Sequence, residues 1–412
     1  MSSEHRAIKA LCITGELVFS KFASLESACV NINFCLMIKS NVMEVRKANR
    51  QKKSKATYKA TGVDTAKEEL GMQKVAEWVR QTFSFCPSAP VKLPIGYFAN
   101  VLQITTEIGI AISTDGVGTK ILVAEQLERF DTIGIDCVAM NVNDVLCVGA
   151  RPISMVDYIA VQKLSPNFLQ EVGIGLMEGA RQAGVSIPAG EIAQVPEMIR
   201  GVKEGAAFDL VGTCIGVVHP DKINTGRDVS PDDIVIGLRS SGVHSNGLTL
   251  ARKSLLELGG MNLNDRVPAL GRTLGDELLE PTRIYVRQIL HLMDVGIDMK
   301  ALIHITSDGF MNLARVDAPV GFALDSIPEP PPIFALIQEK GGVPIEEMYT
   351  VFNMGIGFCL VVGPQDVERV LSLLQQTGEK PCILGKATDD HDKSVTLTKQ
   401  KIVGTGHTFE RF

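Results

Sequence analysis

Apolar residues fall along most of the chain in short runs, and Gly, Pro, Asp or Asn closes each run. Compact apolar runs predict buried strands, and apolar residues three and four apart predict helices. In the first half strands are predicted at 101–104, 107–113, 153–161, 185–188 and 208–218. Helices are predicted from 121, over 133–148, and from Pro166 to about 183, the last with Pro at its first position. Thr65-Ala66-Lys67-Glu68 fits a capping box, and Leu70, Val75, Val79 and Phe83 supply one apolar side of the helix it opens. In the second half strands are predicted at 233–238, 301–305, 355–362, 381–386 and 394–403. Helices are predicted at 248–258, 281–293, from Phe310, and at 364–376.

Several of these strands are long and adjacent. That favours an α+β fold, with mainly antiparallel or mixed sheets covered by helices, over a doubly wound parallel sheet. The polar, turn-rich stretch at 220–228 reads as a boundary between a domain at 56–222 and a second at 223–412. Residues 1–55 mix short apolar patches with a basic run at 46–55 and read as a poorly ordered extension, Met43 being a plausible alternative start. They lack the single apolar block of a signal peptide, and Glu4, Glu16, Glu26 and Glu44 are unusual for a transit peptide. A cytoplasmic protein is expected, with organelle targeting by this extension as the alternative.

A chain of 412 residues exceeds one ordinary core. A net charge of −6 without a Lys/Arg stripe in the main body, and few aromatics, argue against nucleic acid as partner. No apolar run is long enough to span a membrane. The nine cysteines form no C-x-x-C pair, which makes zinc an unlikely ligand and buried thiols in a reducing compartment the expected state.

The chemistry concentrates in Ser113-Thr114-Asp115-Gly116-Val117-Gly118-Thr119-Lys120, between a predicted strand and a predicted helix. Free amides at such a turn favour phosphate, its glycines let the backbone approach, Lys120 can balance charge, and Asp115 can hold Mg²⁺. An ordinary tight turn with a capping Asp is the alternative. Asp136, Asn143 and Asp144 share one face of the 133–148 helix, where they cap, face water or ligate a metal, with water slightly favoured. Ser240-Ser241-Gly242-Val243-His244-Ser245-Asn246-Gly247 forms a second strand–loop–helix, echoing the first.

These strings resemble the phosphoribosylformylglycinamidine cyclo-ligase (aminoimidazole ribonucleotide synthetase) family. The resemblance rests on Tyr58-Lys59-x-x-Gly62-Val63-Asp64, on 114–120, on Gly134-Ile135-Asp136 through Asn143-Asp144, and on 240–247. Pro281-Thr282-Arg283-Ile284-Tyr285-Val286, His304-x-Thr306 and Met348-Tyr349 through Gly355-x-Gly357 add to it. It covers roughly residues 57–405. It implies ATP-dependent closure of the imidazole ring of a nucleotide substrate, with Mg²⁺, by a homodimer paired through its N-terminal sheet.

It also implies roles. Asp115 and Asp144 are expected as metal ligands. Lys59, Gly62, Asp64, Asp115, Gly116, Gly118, Thr119, Lys120, Asp136 and Asn143 are expected around ATP. His244, Lys59 and Asp115 are the expected catalytic groups, His244 moving protons near neutral pH. Glu191, Ser245, Asn246 and Thr306 are expected at the substrate. The chain departs from the family at 93–98, at 189–196 and at Thr306-Ser307-Asp308-Gly309, where Asp308 is expected to cap the following helix. The same resemblance allows another ATP user of the superfamily, or a nucleotide-binding homologue without activity. A selenophosphate synthetase would need a reactive Cys near Lys59, and a hydrogenase-maturation dehydratase a C-terminal Cys; neither is present.

Overall fold

A computed structural model describes residues 56–58, 61–62 and 65–412. Five strands form the first sheet: β1 (Asn100–Gln103), β2 (Gly109–Gly116), β3 (Arg151–Val161), β4 (Ser186–Gln194) and β5 (Phe208–Val218). Their order is β1-β2-β5-β3-β4, and every pair is antiparallel except β3 with β4. In β5 buried residues alternate with more exposed ones, the period-two pattern of a sheet with one covered face.

The first-half helices are α1 (Thr65–Val79), α2 (Ile121–Leu127), α3 (Ile133–Cys147) and α4 (Pro166–Ala183). Helix α3 lies over β2 and β5, and α4 packs on α3. Their backbones nearly touch. A Cβ on Gly134 would stand 2.1 Å from the Leu176 amide nitrogen, and one on Gly175 2.6 Å from the Asp131 carbonyl oxygen. Only glycine fits at these crossings. Ser165 caps α4, its Oγ accepting from the Phe168 amide.

The opposite face of this sheet carries Ile112, Ile153, Val156 and Tyr158, each at least 37% exposed. An apolar face of that kind is unusual on an isolated chain. Leu70, Val75 and Val79, expected to pack one side of α1, are also exposed.

The second sheet has eight strands: β6 (Ile234–Arg239), β9 (Met299–His304), β10 (Gly321–Leu324), β11 (Ile356–Val362), β12 (Cys382–Thr388), β13 (Val395–Leu397), β14 (Ile402–Thr405) and β15 (Thr408–Arg411). A small hairpin pairs β7 (Arg266–Val267) with β8 (Arg272–Thr273). The sheet order is β15-β14-β13-β10-β12-β6-β11-β9, with β10 and β13 the parallel pair. Strand β11, between β6 and β9, is buried at every residue, which explains why it reads as an unbroken apolar run. Around it stand α5 (Leu248–Arg252), α6 (Leu274–Leu278), α7 (Val286–Asp294), α8 (Pro332–Gly341), α9 (Ile345–Val351) and α10 (Val367–Gln376). The α+β class with two mixed sheets is as expected. One buried apolar cluster joins both sheets, from Val101 and Val138 to Leu360 and Ile402. No helix among the described residues is long and apolar enough to cross a membrane.

Five local expectations change. The strand expected at 185–188 extends to Gln194; as the edge of its sheet, β4 tolerates Pro188. The strand expected at 394–403 is two strands around a turn in which Lys401 has φ 54°. The helix expected from Phe310 is a run of 3₁₀ turns, Gly309–Arg315. Asp308 does not cap it: at φ 70° its carboxylate bonds Arg315 Nη2 at 3.0 Å instead. The helix expected over 281–293 begins only at Val286, and the cause of that lies in the site.

Candidate active site

The segment 280–285 is an irregular strap whose backbone groups are bonded by side chains from distant elements. The Thr282 amide donates to Asp136 Oδ1 (2.7 Å), the Arg283 amide to His244 Nε2 (3.4 Å) and the Tyr285 amide to Asn143 Oδ1 (3.0 Å). The Glu280 carbonyl accepts from Lys120 Nζ, the Pro281 carbonyl from Ser241 Oγ, and the Arg283 carbonyl from Asn143 Nδ2 at 2.8 Å. Buried backbone polar groups need partners, and these side chains replace the first helical turn.

This strap absorbs much of the expected site. Lys120, expected at phosphate, is wholly buried and forms an ion pair with equally buried Asp136 at 2.8 Å. Asp136 Oδ1 also takes the Thr282 hydroxyl (2.6 Å) and Ser245 Oγ (3.3 Å). Thr119 Oγ1 meets Thr249 Oγ1 at 2.8 Å. The shared face of Asp136, Asn143 and Asp144 is therefore no solvated surface. Its first two members are wholly buried and face the strap.

His244 does not stand ready to titrate near neutral pH. It sits at φ 66° and is buried, and burial, then the charges of His304, Lys120 and Arg283, hold its pKa well below 6.5. Its Nε2 accepts from the Ser241 amide at 3.1 Å as well as from Arg283. The neutral ring therefore carries its proton on Nδ1, which has no partner among the described residues.

Asp115 and Asp144 remain. Asn141 places Asp115: its Oδ1 accepts the Asp115 amide at 3.0 Å and its Nδ2 donates to the Asp115 carbonyl at 3.1 Å. The Asp115 carboxylate accepts the Gly116 amide at 2.7 Å. Its pKa is pushed up to about 6, chiefly by burial and next by the Asp144 charge. The amide bond and the nearby His304 only partly offset these effects. His304, at the end of edge strand β9, bonds Asp144 Oδ1 through Nδ1 at 2.9 Å. Asn143 Nδ2 lies 3.5 Å from the other ring nitrogen. Asp144 and His304 thus form a bonded pair, and the charge of Asp144 is felt at Asp115 where β2 ends.

Asn141 and His304 were missed as site residues. Asn141 occupies an unassigned position of the 134–144 string, and His304 appeared only as part of a motif. Their partners lie 26 and 160 residues away, so spacing gives no signal. Of the other expected residues, Glu191 is exposed on β4, Asn246 and Thr306 are half-buried, and Gly62 is exposed. Gly118, at φ 72°, needs glycine for its turn. Lys59 and Asp64 lie outside the described residues, as does the extension 1–55.

Two further observations bear on ligands. Among the described residues no group of three or more His, Cys, Asp or Glu side chains is placed to hold a metal ion. Buried Glu125 accepts the Val202 amide at 2.8 Å, and a Cβ on Gly201 would overlap its carboxylate. Glu125 so fixes the loop that follows β4.

The family model for the N-terminal domain of AIR synthase related proteins matches residues 96–218, and that for their C-terminal domain matches 230–398. A phosphoribosylformylglycinamidine cyclo-ligase of Methanothermobacter thermautotrophicus is 48% identical, the match covering 81% of this chain and 94% of that one. The enzyme of the same name from Methanocaldococcus jannaschii is 42% identical, over 84% and 95%. Among solved structures, the hydrogenase maturation protein HypE in complex with ATP superposes with a TM-score of 0.53 at 19% identity, over 73% of this chain and 85% of that one, a likeness of fold. With both halves matched, and nearly the full length of these relatives spanned, the chain belongs to the phosphoribosylformylglycinamidine cyclo-ligase family of AIR synthase related proteins.

Proposed function

We propose that the chain converts formylglycinamidine ribonucleotide to aminoimidazole ribonucleotide with cleavage of ATP to ADP and phosphate. The observation that carries this reading is a carboxylate fixed at the end of β2, Asp115, whose proton affinity is raised in part by the charge of Asp144 on α3, itself held by His304. The γ-phosphoryl group moves to the formyl (amide) oxygen, and ADP leaves. An amidine nitrogen then attacks the activated carbon, a proton is lost, and the carbon–oxygen bond breaks to release phosphate. Phosphorylation turns a poor leaving group into a good one. The protein's task is then mainly positioning and charge neutralisation.

Asp115 and Asp144 fit Mg²⁺, a hard cation that takes one or two carboxylates and completes its shell with phosphate oxygens and water. When bound, that ion supplies neutralisation of the triphosphate charge. His304 holds Asp144 in its rotamer, and the Asn141 amide fixes Asp115 from behind. Glu191, Asn246 and Thr306 are assigned to substrate, and Lys59, Gly62 and Asp64 to nucleotide. Lys120, Asp136, Asn143, His244 and Ser245 act through the strap, as positioning residues. The two sheets correspond to working domains at 56–222 and 223–412. A cytoplasmic setting suits the buried thiols of Cys137, Cys147, Cys214 and Cys359.

The purified chain, given ATP, Mg²⁺ and formylglycinamidine ribonucleotide, is expected to release ADP and the aminoimidazole product in equal amounts. ADP released without the imidazole, or binding of ATP with no turnover, would overturn the assignment.

The open face of the first sheet is assigned to a second copy of the chain. Its exposed Ile112, Ile153, Val156 and Tyr158 are the kind of apolar patch a permanent interface covers. Sedimentation of the wild type is expected to give a dimer, and Ile112→Glu with Val156→Glu a monomer. A dimer unaffected by both charges would place the interface elsewhere.

A further inference from the structure

A concave site lies apart from Asp115 and Asp144. Its walls are the start of β3, the end of α4 and the first turns of α7, and it is an open depression of about 290 Å³. That is near the lower end of small-molecule sites, roughly 300 Å³. Three guanidinium groups line it: Arg151, Arg181 and Arg287. Pro152, Val286 and Leu290 form an apolar wall beside them. For a chain of net charge −6, three arginines in one cavity are a marked local excess.

Two of these arginines already have acidic partners, of unequal hold. Arg151 pairs with Asp294 at 2.5 Å, but both side chains are about half exposed or more. Arg181 holds Glu178 through both Nε (2.8 Å) and Nη2 (2.6 Å), so a ligand at Arg181 competes with a bidentate partner. A single-contact exposed pair such as Arg151–Asp294 is worth little, so an anion can share or displace it. No hydrogen bond or ion pair joins Arg287 to any described residue. Nearby carbonyls of the α4 end are already engaged, the Ala180 oxygen accepting the amides of Gly184 and Val185. Guanidinium forks match phosphate oxygens two at a time, and the apolar wall suits a carbon skeleton attached to the phosphate.

We propose that this cavity is a binding site for a small phosphomonoester, separate from the catalytic centre. The site joins elements of both halves of the chain, α4 and β3 with α7. The strap 280–285 runs directly into α7, so a ligand here is placed to act on the site through that helix.

The test uses the full chain with its nucleotide site filled by a non-hydrolysable ATP analogue. Calorimetric titrations with ribose 5-phosphate, AMP and inorganic phosphate are compared. At least one ester is expected to bind one per chain, and more tightly than inorganic phosphate. Arg287→Gln and Arg181→Gln are each expected to weaken it about tenfold or more, with basal turnover and melting temperature unchanged. Asp115→Asn is expected to leave it intact. Lack of saturable ester binding at millimolar concentration, inorganic phosphate binding as tightly as the esters, or ester binding indifferent to both arginine variants would overturn the proposal.

Discussion

Asp115→Asn is expected to lower kcat by about 10²–10³-fold, the loss typical of removing one preorganised electrostatic group from a reaction centre, while the protein becomes no less stable. The two effects separate because Asp115 is held in a place that disfavours its charge. Burial, and then Asp144, raise its pKa from 3.8 to about 6. A carboxyl group whose folded pKa lies above its unfolded value binds more protons when folded. Its contribution to stability therefore falls as pH rises from about 4 to about 6, and the deficit is fully present above that window. Asparagine keeps the shape and the Gly116 contact without the charge. Unfolding in urea across pH 4–7, in the presence of a chelator, should show the wild type losing stability through this range and the variant losing less. Steady-state ADP release gives the kinetic half of the test. A variant that keeps full turnover would remove Asp115 from the chemistry. A variant that is inactive because it is unfolded would show instead that its charge is structural. A destabilised carboxylate kept at a reaction centre is the usual exchange of stability for function.

Lys120→Met is expected to destabilise the fold by about 3–5 kcal/mol, because it leaves the buried Asp136 charge without its counter-ion. The paired change Lys120→Met with Asp136→Asn should recover most of that loss. Asparagine retains an oxygen for the Thr282 amide and hydroxyl but carries no charge needing a partner. Denaturant titration of the two single variants and the double variant measures the coupling. A lysine that served phosphate would behave otherwise: stability would hold, the KM for ATP would rise, and the second substitution would rescue nothing. The structure favours the first outcome, since Lys120 Nζ is wholly buried and bonded to both Asp136 and the Glu280 carbonyl.

These two residues lie five positions apart in one octapeptide, yet they have different work. Their separation shows where reading the chain alone succeeds. Periodicity was enough for the elements that pack by an apolar face: alternation marked β5, and continuous burial marked β11. The turn from β2 into the following helix was legible because glycine at φ 72° and a strand–helix junction leave local signatures. The acid–Gly–Lys string, with its companions in both halves, was enough to mark the family.

The roles within that string were not legible. Lysine, aspartate, asparagine, histidine and serine have the same chemistry whether they bind a ligand or the protein's own backbone. The choice was made by the strap at 280–285, whose amides and carbonyls draw in Lys120, Asp136, Asn143 and His244 from up to 160 residues away. A single chain thus determined by itself which segments would be strands and helices and which residues were chemically able. Only the tertiary structure decided that Lys120, Asp136 and Asn143 are bonded to the strap while Asp115 and Asp144 are not. The physical reason is that a buried backbone polar group must find a partner, and that demand is set by three-dimensional proximity and leaves no period in the sequence.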